Sequence, residues 1–288
     1  MTVPNPCPRG SVGSWSKAQR GLGESAVPKT GFDPQVHGFA FPNRWRLGEG
    51  ELKVVGQRLN PLLRRAVILA WAALGCLGRL PFCRGVLRLR EKVKKDMAQG
   101  FGLCGGMCFA ALDLYKVALQ LSEQSLDTPP PPESPLHAYI LRRQLHSLVH
   151  LRLRSDAARY MAWLLILNHA PARLFRGGPG WLLARSRREW SKLKASIDAG
   201  EPVPILLVRD TQDVFGNHQV LAIGCDHAQA DRGAIYVYDP NCPGQVSTIE
   251  IDFGEKQLNG RESCCESPPL RGFFCQAYKP LDPAVDVG

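Results

Sequence analysis

The sequence predicts an α+β fold, and three observations predict it. Helical periodicity and helix-forming apolar runs fill the first two-thirds of the chain, while short apolar runs bounded by turn residues fill the last third. Helices followed by strands, rather than alternating with them, argue against a wound parallel sheet. With 288 residues, 44% apolar and 22% charged, the chain can bury a sizeable core and is not disordered in composition.

Each element follows in order. Residues 1–30 are rich in Gly, Pro and Ser and read as a flexible tail. Residues 31–45, GFDPQVHGFAFPNRW, alternate aromatics with turn residues and read as an ordered, irregular segment lying on the domain. Residues 57–95 read as a helix, a turn at Gly78–Pro81 and a basic helix. Within them Ala66–Gly78 carries no charge over thirteen residues. That is short of the roughly 18–20 needed to cross a bilayer. The run reads as a buried helix, with a membrane-surface helix as the alternative, and no transmembrane segment is predicted.

Gly100–Gly106 is a glycine-rich turn, after which Met107, Ala110, Ala111, Leu114 and Ala118 recur at helical spacing. That helix should end near Leu126, before the breaker DTPPPPESP at residues 127–135. Residues 136–192 are again helical, interrupted at Gly177–Gly180, which lacks the Lys and Ser/Thr of a phosphate loop. From Ser196 the chain reads as a helix end, a Gly turn and a buried strand to Val208. Asn217–Cys225, Ala234–Asp239, Val246–Ile251 and Arg271–Tyr278 read as further strands.

The net charge of +10 suggests acidic partners. The excess clusters between Arg58 and Lys95 and again through Arg173, Arg176, Arg185, Arg187 and Arg188, which read as solvated basic helix faces open to an anionic partner. No zinc-finger or RNA-binding signature points to specific nucleic-acid recognition. The opening MTVPNPCPRGSVGSW has no signal-peptide core, so a cytoplasmic location is expected and most of the ten cysteines read as small buried hydrophobes. No C-x-x-C occurs, and Cys104 and Cys108 lack a second ligand pair nearby, so neither a metal nor another cofactor is expected.

One constellation carries chemistry. A cysteine nucleophile needs a stabilised thiolate, which a helix N-terminus supplies, together with a base and a group that orients the base. Cys104, in GFGLCGGMCFAALD, opens a helix, and Gly105 and Gly106 allow close backbone approach and donors for an oxyanion. A structural cysteine at a tight turn would look the same. Cys108, one turn further in, competes as the nucleophile. His218 enters an apolar strand from a polar turn, and Asp239 ends the next strand before Pro240. A hairpin through Asp226–Gly233 would bring the two together. Asp113, Asp210 and Asp213 read as surface or capping acids. His146 and His150, spaced i, i+4, read as helix surface, and His37 could approach the site only if its segment lay over the groove.

The blocks CGGM, AGEPVPILLV, HQVLAIG and IYVYDPN resemble the papain-like cysteine peptidase superfamily, especially its bacteriocin-processing, C39-like branch. The resemblance covers about residues 99–108 and 201–241. It implies Cys104 as nucleophile, His218 as base, Asp239 as orienter and Gln99, five residues upstream of the cysteine, as an oxyanion donor. It also implies a papain-like domain over residues 31–288, its helical part packed on a C-terminal antiparallel sheet, with a helical insert at about residues 127–192. Three functions fit: a cysteine-dependent peptidase or amidase, an acyltransferase with the same triad, and an inactive binding protein with a basic surface.

Overall fold

The computed structural model describes residues 30–45, 50, 102–118, 128–132, 134–148, 179–211, 217–227, 229, 231–254, 256–264 and 267–283. Residues 1–29 of the expected tail, the helix pair at 57–95 with its apolar run, Gln99, Asp213 and His150 lie outside them.

The described elements are four helices, α1 (Pro34–His37), α2 (Cys104–Lys116), α3 (Pro135–Leu148) and α4 (Pro179–Asp198). Six strands follow: β1 (Val203–Arg209), β2 (His218–Asp226), β3 (Arg232–Tyr238), β4 (Val246–Asp252), β5 (Asn259–Glu262) and β6 (Leu270–Cys275). Neighbouring strands pair antiparallel in sequence order, and β6 returns to pair with β1, so the sheet closes into a barrel. The expected papain-like fold, a helical N-terminal two-thirds packed on a C-terminal antiparallel sheet, is therefore corrected to a closed six-stranded antiparallel barrel with few, mostly short helices among the described residues. The apolar runs mark where strands form, but a run does not encode its partner. Closure rests on pairs such as Ile205 with Cys275, far apart in sequence. The seam at β5–β6 is one pair, Gly260 with Leu270, and a Cβ on Gly260 would lie 2.8 Å from the leucine side chain.

Five strands coincide with apolar runs read from the sequence. The sixth, β5, is NGRE, half exposed and without an apolar residue, and gives no alternation to read. It is held by its pairing with β4.

Strand alternation divides the core in two. Leu221, Ile223 and Tyr238 meet α2, Tyr139 and Ile140 of α3, and the aromatics Phe32, Phe39, Phe41 and Trp45. Val220, Ala222, Ile235, Val237, Ile249 and Phe273 meet each other and Leu183, Trp190, Leu193 and Ile197 of α4. Helix α2 is buried from Gly105 to Leu114, which explains an almost uniformly apolar sequence there. The segment around residues 31–45 does lie on the domain: Thr30 N–H donates to the Ile223 carbonyl and Trp45 Nε1 to that of Pro130.

Cysteine usage also differs from expectation. Cys242 and Cys264 form a disulfide with their Cα atoms 6.3 Å apart, whereas Cys104, Cys108, Cys225 and Cys275 are in the thiol form. The pairing joins the turn after β3 to the end of β5, a proximity created by the barrel.

Candidate active site

Cys104 is the first residue of α2, where backbone N–H groups have no helical carbonyl to bond. Side chains from elsewhere in the fold cap this end. Leu103 N–H donates to Asn43 Oδ1 at 2.6 Å, and Gly106 N–H donates to Gln144 Oε1 at 2.7 Å. Asn43 reaches further: its Nδ2 donates to Asn241 Oδ1 at 3.2 Å and its N–H to the Pro240 carbonyl at 3.0 Å. One asparagine thus ties the cysteine turn to the turn that carries Asp239.

His218 and Asp239 meet because β2 and β3 form an antiparallel hairpin whose register runs from Asp226–Ala234 to Leu221–Tyr238. His218 opens β2 and Asp239 follows the last residue of β3, so both stand at the same end of the pair. Their contact is 2.7 Å between His218 Nε2 and Asp239 Oδ1, with both residues buried. Asn241 N–H donates to the same carboxylate oxygen at 2.8 Å, and Asn241 Nδ2 lies 3.2 Å from His218 Nε2. With Nε2 engaged, Nδ1 is the ring nitrogen left for the sulfur, and Cys104 and His218 are near enough for each to shift the other's ionisation.

The electrostatics match a thiolate–imidazolium pair. Burial alone would raise the Cys104 thiol. The hydrogen bond and charge of His218, and backbone hydrogen bonds from Gln219 and Gly105, more than offset it, and the net shift is down. Burial alone would likewise lower His218. The charge and hydrogen bond of Asp239, then those of Cys104, raise it to about 10. Asp239 is held below the ordinary carboxylate range, since His218, Asn241 and the charge of Arg209 outweigh its burial. Arg209 itself is clamped by Glu262, its Nε 2.8 Å from Oε1.

The structure separates the two candidate nucleophiles. Cys104 is partly exposed, whereas Cys108 is fully buried and its Sγ points at the Gln219 carbonyl, 3.6 Å away. Burial pushes the Cys108 thiol well up, and the neighbouring charges of Cys104 and Asp239 push it further.

The remaining sequence candidates fall away from this centre. Asp113 is not a surface acid: it is 1% exposed and accepts from Tyr139, Tyr278, Arg143 and the Leu281 N–H. Asp210 is an exposed partner of Arg271. His146 sits 3.2 Å from Arg143 Nη1. His37 packs on Phe32 and on Tyr115, at the opposite end of α2 from Cys104. Residues that the sequence reading passed over, Asn43, Gln144, Gln219 and Asn241, hold the site together. Asn241 and Gln219 stand beside the candidate acid and base in sequence and could have been flagged by that adjacency. Nothing local marks Asn43 or Gln144.

No protein-family model matches the chain, and neither a curated protein nor a solved structure is similar to it at a significant level. Among the described residues no helix is long and apolar enough to cross a membrane.

Proposed function

We propose that this protein is a cysteine-dependent hydrolase, a peptidase or amidase, with Cys104 as nucleophile, His218 as acid and base, and Asp239 as the group that orients the imidazole. The observation that carries the reading is a partly exposed helix-opening thiol beside a buried His218–Asp239 pair, whose charge lowers that thiol. The short motifs shared with bacteriocin-processing peptidases support the same three roles and add Gln99 as an oxyanion donor.

The chemistry proceeds in two halves. The Cys104 thiolate attacks an amide carbonyl carbon, a C–S bond forms and the π pair moves to oxygen. Collapse expels the amine, which takes its proton from the His218 imidazolium. Water then attacks the thioester, giving its proton to His218 while Cys104 departs as the thiolate and the carboxylic acid leaves. An amine in place of that water makes the same site an acyltransferase. The exposed Arg185 and Arg188 on α4 support an anionic partner at a separate face. A cytoplasmic location requires the Cys242–Cys264 disulfide to persist against cellular thiols, which counting its free thiols in freshly lysed cells tests.

The hydrolase reading is tested by alkylating the native protein with iodoacetamide at about pH 6, where an ordinary thiol is almost wholly protonated. Cys104 should react selectively, and His218→Ala should abolish the selectivity. Cys225, whose burial raises it to about 11, and Cys108 should stay slow. Uniform slow labelling would sink the reading and favour a binding protein without turnover.

A further inference from the structure

Two side-chain amides run from the cysteine turn to the candidate base, and the direction of both is fixed. The chain begins at a backbone donor: Leu103 N–H donates to Asn43 Oδ1 at 2.6 Å. The other end of that amide, Nδ2, is therefore a donor, and it lies 3.2 Å from Asn241 Oδ1. Turning the Asn241 amide over would set two N–H groups against each other. Asn241 thus keeps its oxygen on Asn43 and brings its own Nδ2 to His218, 3.2 Å from Nε2. Asn43 is closely seated for this. Its N–H donates to the Pro240 carbonyl at 3.0 Å, and a Cβ on Gly102 would stand 2.6 Å from its Nδ2.

At the imidazole this donor meets another. Nε2 lies 2.7 Å from Asp239 Oδ1 and directs its hydrogen at that carboxylate. The positive end of the Asn241 amide dipole therefore stands beside a ring that becomes a cation, which disfavours the charged form. The charged and titratable groups around the ring divide in two. Asp239 and the Cys104 thiolate hold its positive charge, and Arg209 acts on both of those anions. Cys108, its thiol pushed well up, stays neutral. Burial and the Asn241 amide oppose the charge. That opposition has a use, because in the proposed reaction His218 must hand its proton to the leaving amine.

We infer that Asn43 is a positioning residue: by fixing the direction of the Asn241 amide it keeps an N–H, and not an oxygen, against His218, and so eases release of the proton from the imidazolium to the leaving amine. The inference rests on the hydrolase reading. In the step it serves, the Nδ1–H bond breaks and its electron pair stays on the ring. The proton joins the amine nitrogen as the C–N bond breaks and that bond's pair goes to nitrogen. Asn43 acts through Asn241, and neither amide gains or loses a proton.

The sign of the effect separates this role from simple bracing. Asn43→Leu, close in size and shape, removes the bond to Asn241 and lets that amide turn over, so that Asn241 Oδ1 accepts from Nε2–H. His218 should then hold its proton more tightly. The measurement is an NMR pH titration of the full chain carrying ¹³C-labelled histidine, with the His218 signal assigned by its loss in His218→Ala. The midpoint should move up by roughly half a pH unit. Bracing alone predicts the reverse, since a loosened Asp239 turn takes the carboxylate away from the ring; a fall, or no change, overturns the inference. In an Asn241→Leu background there is no amide to turn, and Asn43→Leu should leave the midpoint where that background put it. A rise there as large as in the wild-type background overturns the inference. Trp45→Phe, which removes the bond from Trp45 Nε1 to the Pro130 carbonyl in the same segment, should lower the denaturation midpoint without moving His218. A matching rise would make the effect one of general loosening and overturns the inference as well. Asn43→Ala gives the same readout if the leucine variant fails to fold. Wild-type protein whose Cys104 does not alkylate selectively overturns the hydrolase reading and this inference with it. Selective alkylation with a His218 midpoint indifferent to Asn43→Leu overturns the inference alone.

Discussion

Helix α2 carries two buried acid–base clusters, one at each end, and they are built to opposite purposes. At its start, Cys104 meets His218, which is held by Asp239. Toward its end, Asp113 meets Arg143, with Nε to Oδ2 at 2.7 Å, and takes further hydrogen bonds from Tyr139 and Tyr278. Both are buried, yet the acids move in opposite directions. Asp239 is held down because His218, Asn241 and Arg209 outweigh its burial. Asp113 is raised because burial outweighs Arg143 and its other donors. The decisive difference is the cation. Arginine keeps its proton at any working pH, so the Asp113 cluster can only hold charge in place. It does so with the guanidinium stacked 5.0 Å from the Phe109 ring and bonded to the Lys279 carbonyl. A histidine beside a thiol can give its proton away and take it back. Burial of charge alone therefore does not mark a reactive centre; a proton that can move does.

The comparison breaks first at His218. His218→Ala should cost on the order of 10⁴–10⁶ in turnover, as loss of a triad member does elsewhere. Equal acylation rates for variant and wild type would put the two clusters in one class. Next is Asp239→Asn, expected to cost about 10⁴ in rate through loss of imidazole orientation. Its pH profile is more telling. In the wild type the reactive ion pair exists above the lowered value of Cys104 and below about 10 for His218, so activity should fall at both limits. Removing the Asp239 charge that raises His218 should bring the alkaline limit down in pH, and an unmoved limit would refute the coupling.

Effects at the other cluster should appear in stability. Arg143→Met strands the Asp113 carboxylate and should cost about 3–5 kcal/mol in denaturant unfolding, with selective alkylation of Cys104 retained below the melting range. Gly105→Ala sharpens the site side, because its methyl must displace Gln219. A loss of about 1–3 kcal/mol is expected, read as a lower denaturation midpoint at unchanged slope. The smallest effect belongs to the pair of Lys116 and Glu201, 2.5 Å apart with Glu201 57% exposed. Lys116→Ala should change stability by no more than about 1 kcal/mol, and less in high salt.

Five of the strands were legible because half-buried strands write their apolar alternation into the chain. The candidate nucleophile, base and acid were legible because each sits at a boundary that sequence marks: a cysteine before a glycine pair at a helix start, a polar residue entering an apolar run, an acid before proline. β5 was not, since NGRE gains its structure from a neighbour. Nor was Asp113, a lone acid in an apolar helix whose role is set only when Arg143 arrives from α3.

The sequence by itself determined where five of the six strands after residue 200 form, that α2 is an apolar helix opening on Cys104, and which three side chains are chemically suited to meet. These are local properties, set by side-chain periodicity and backbone preference. Tertiary structure alone decided that the strands close into a barrel, that Cys242 pairs with Cys264, that Cys108 is sealed away, and that Asn43, Gln144 and Gln219 surround the thiol. Each depends on contacts between residues distant in the chain, and no local pattern records which distant residue will supply the missing hydrogen bond or charge.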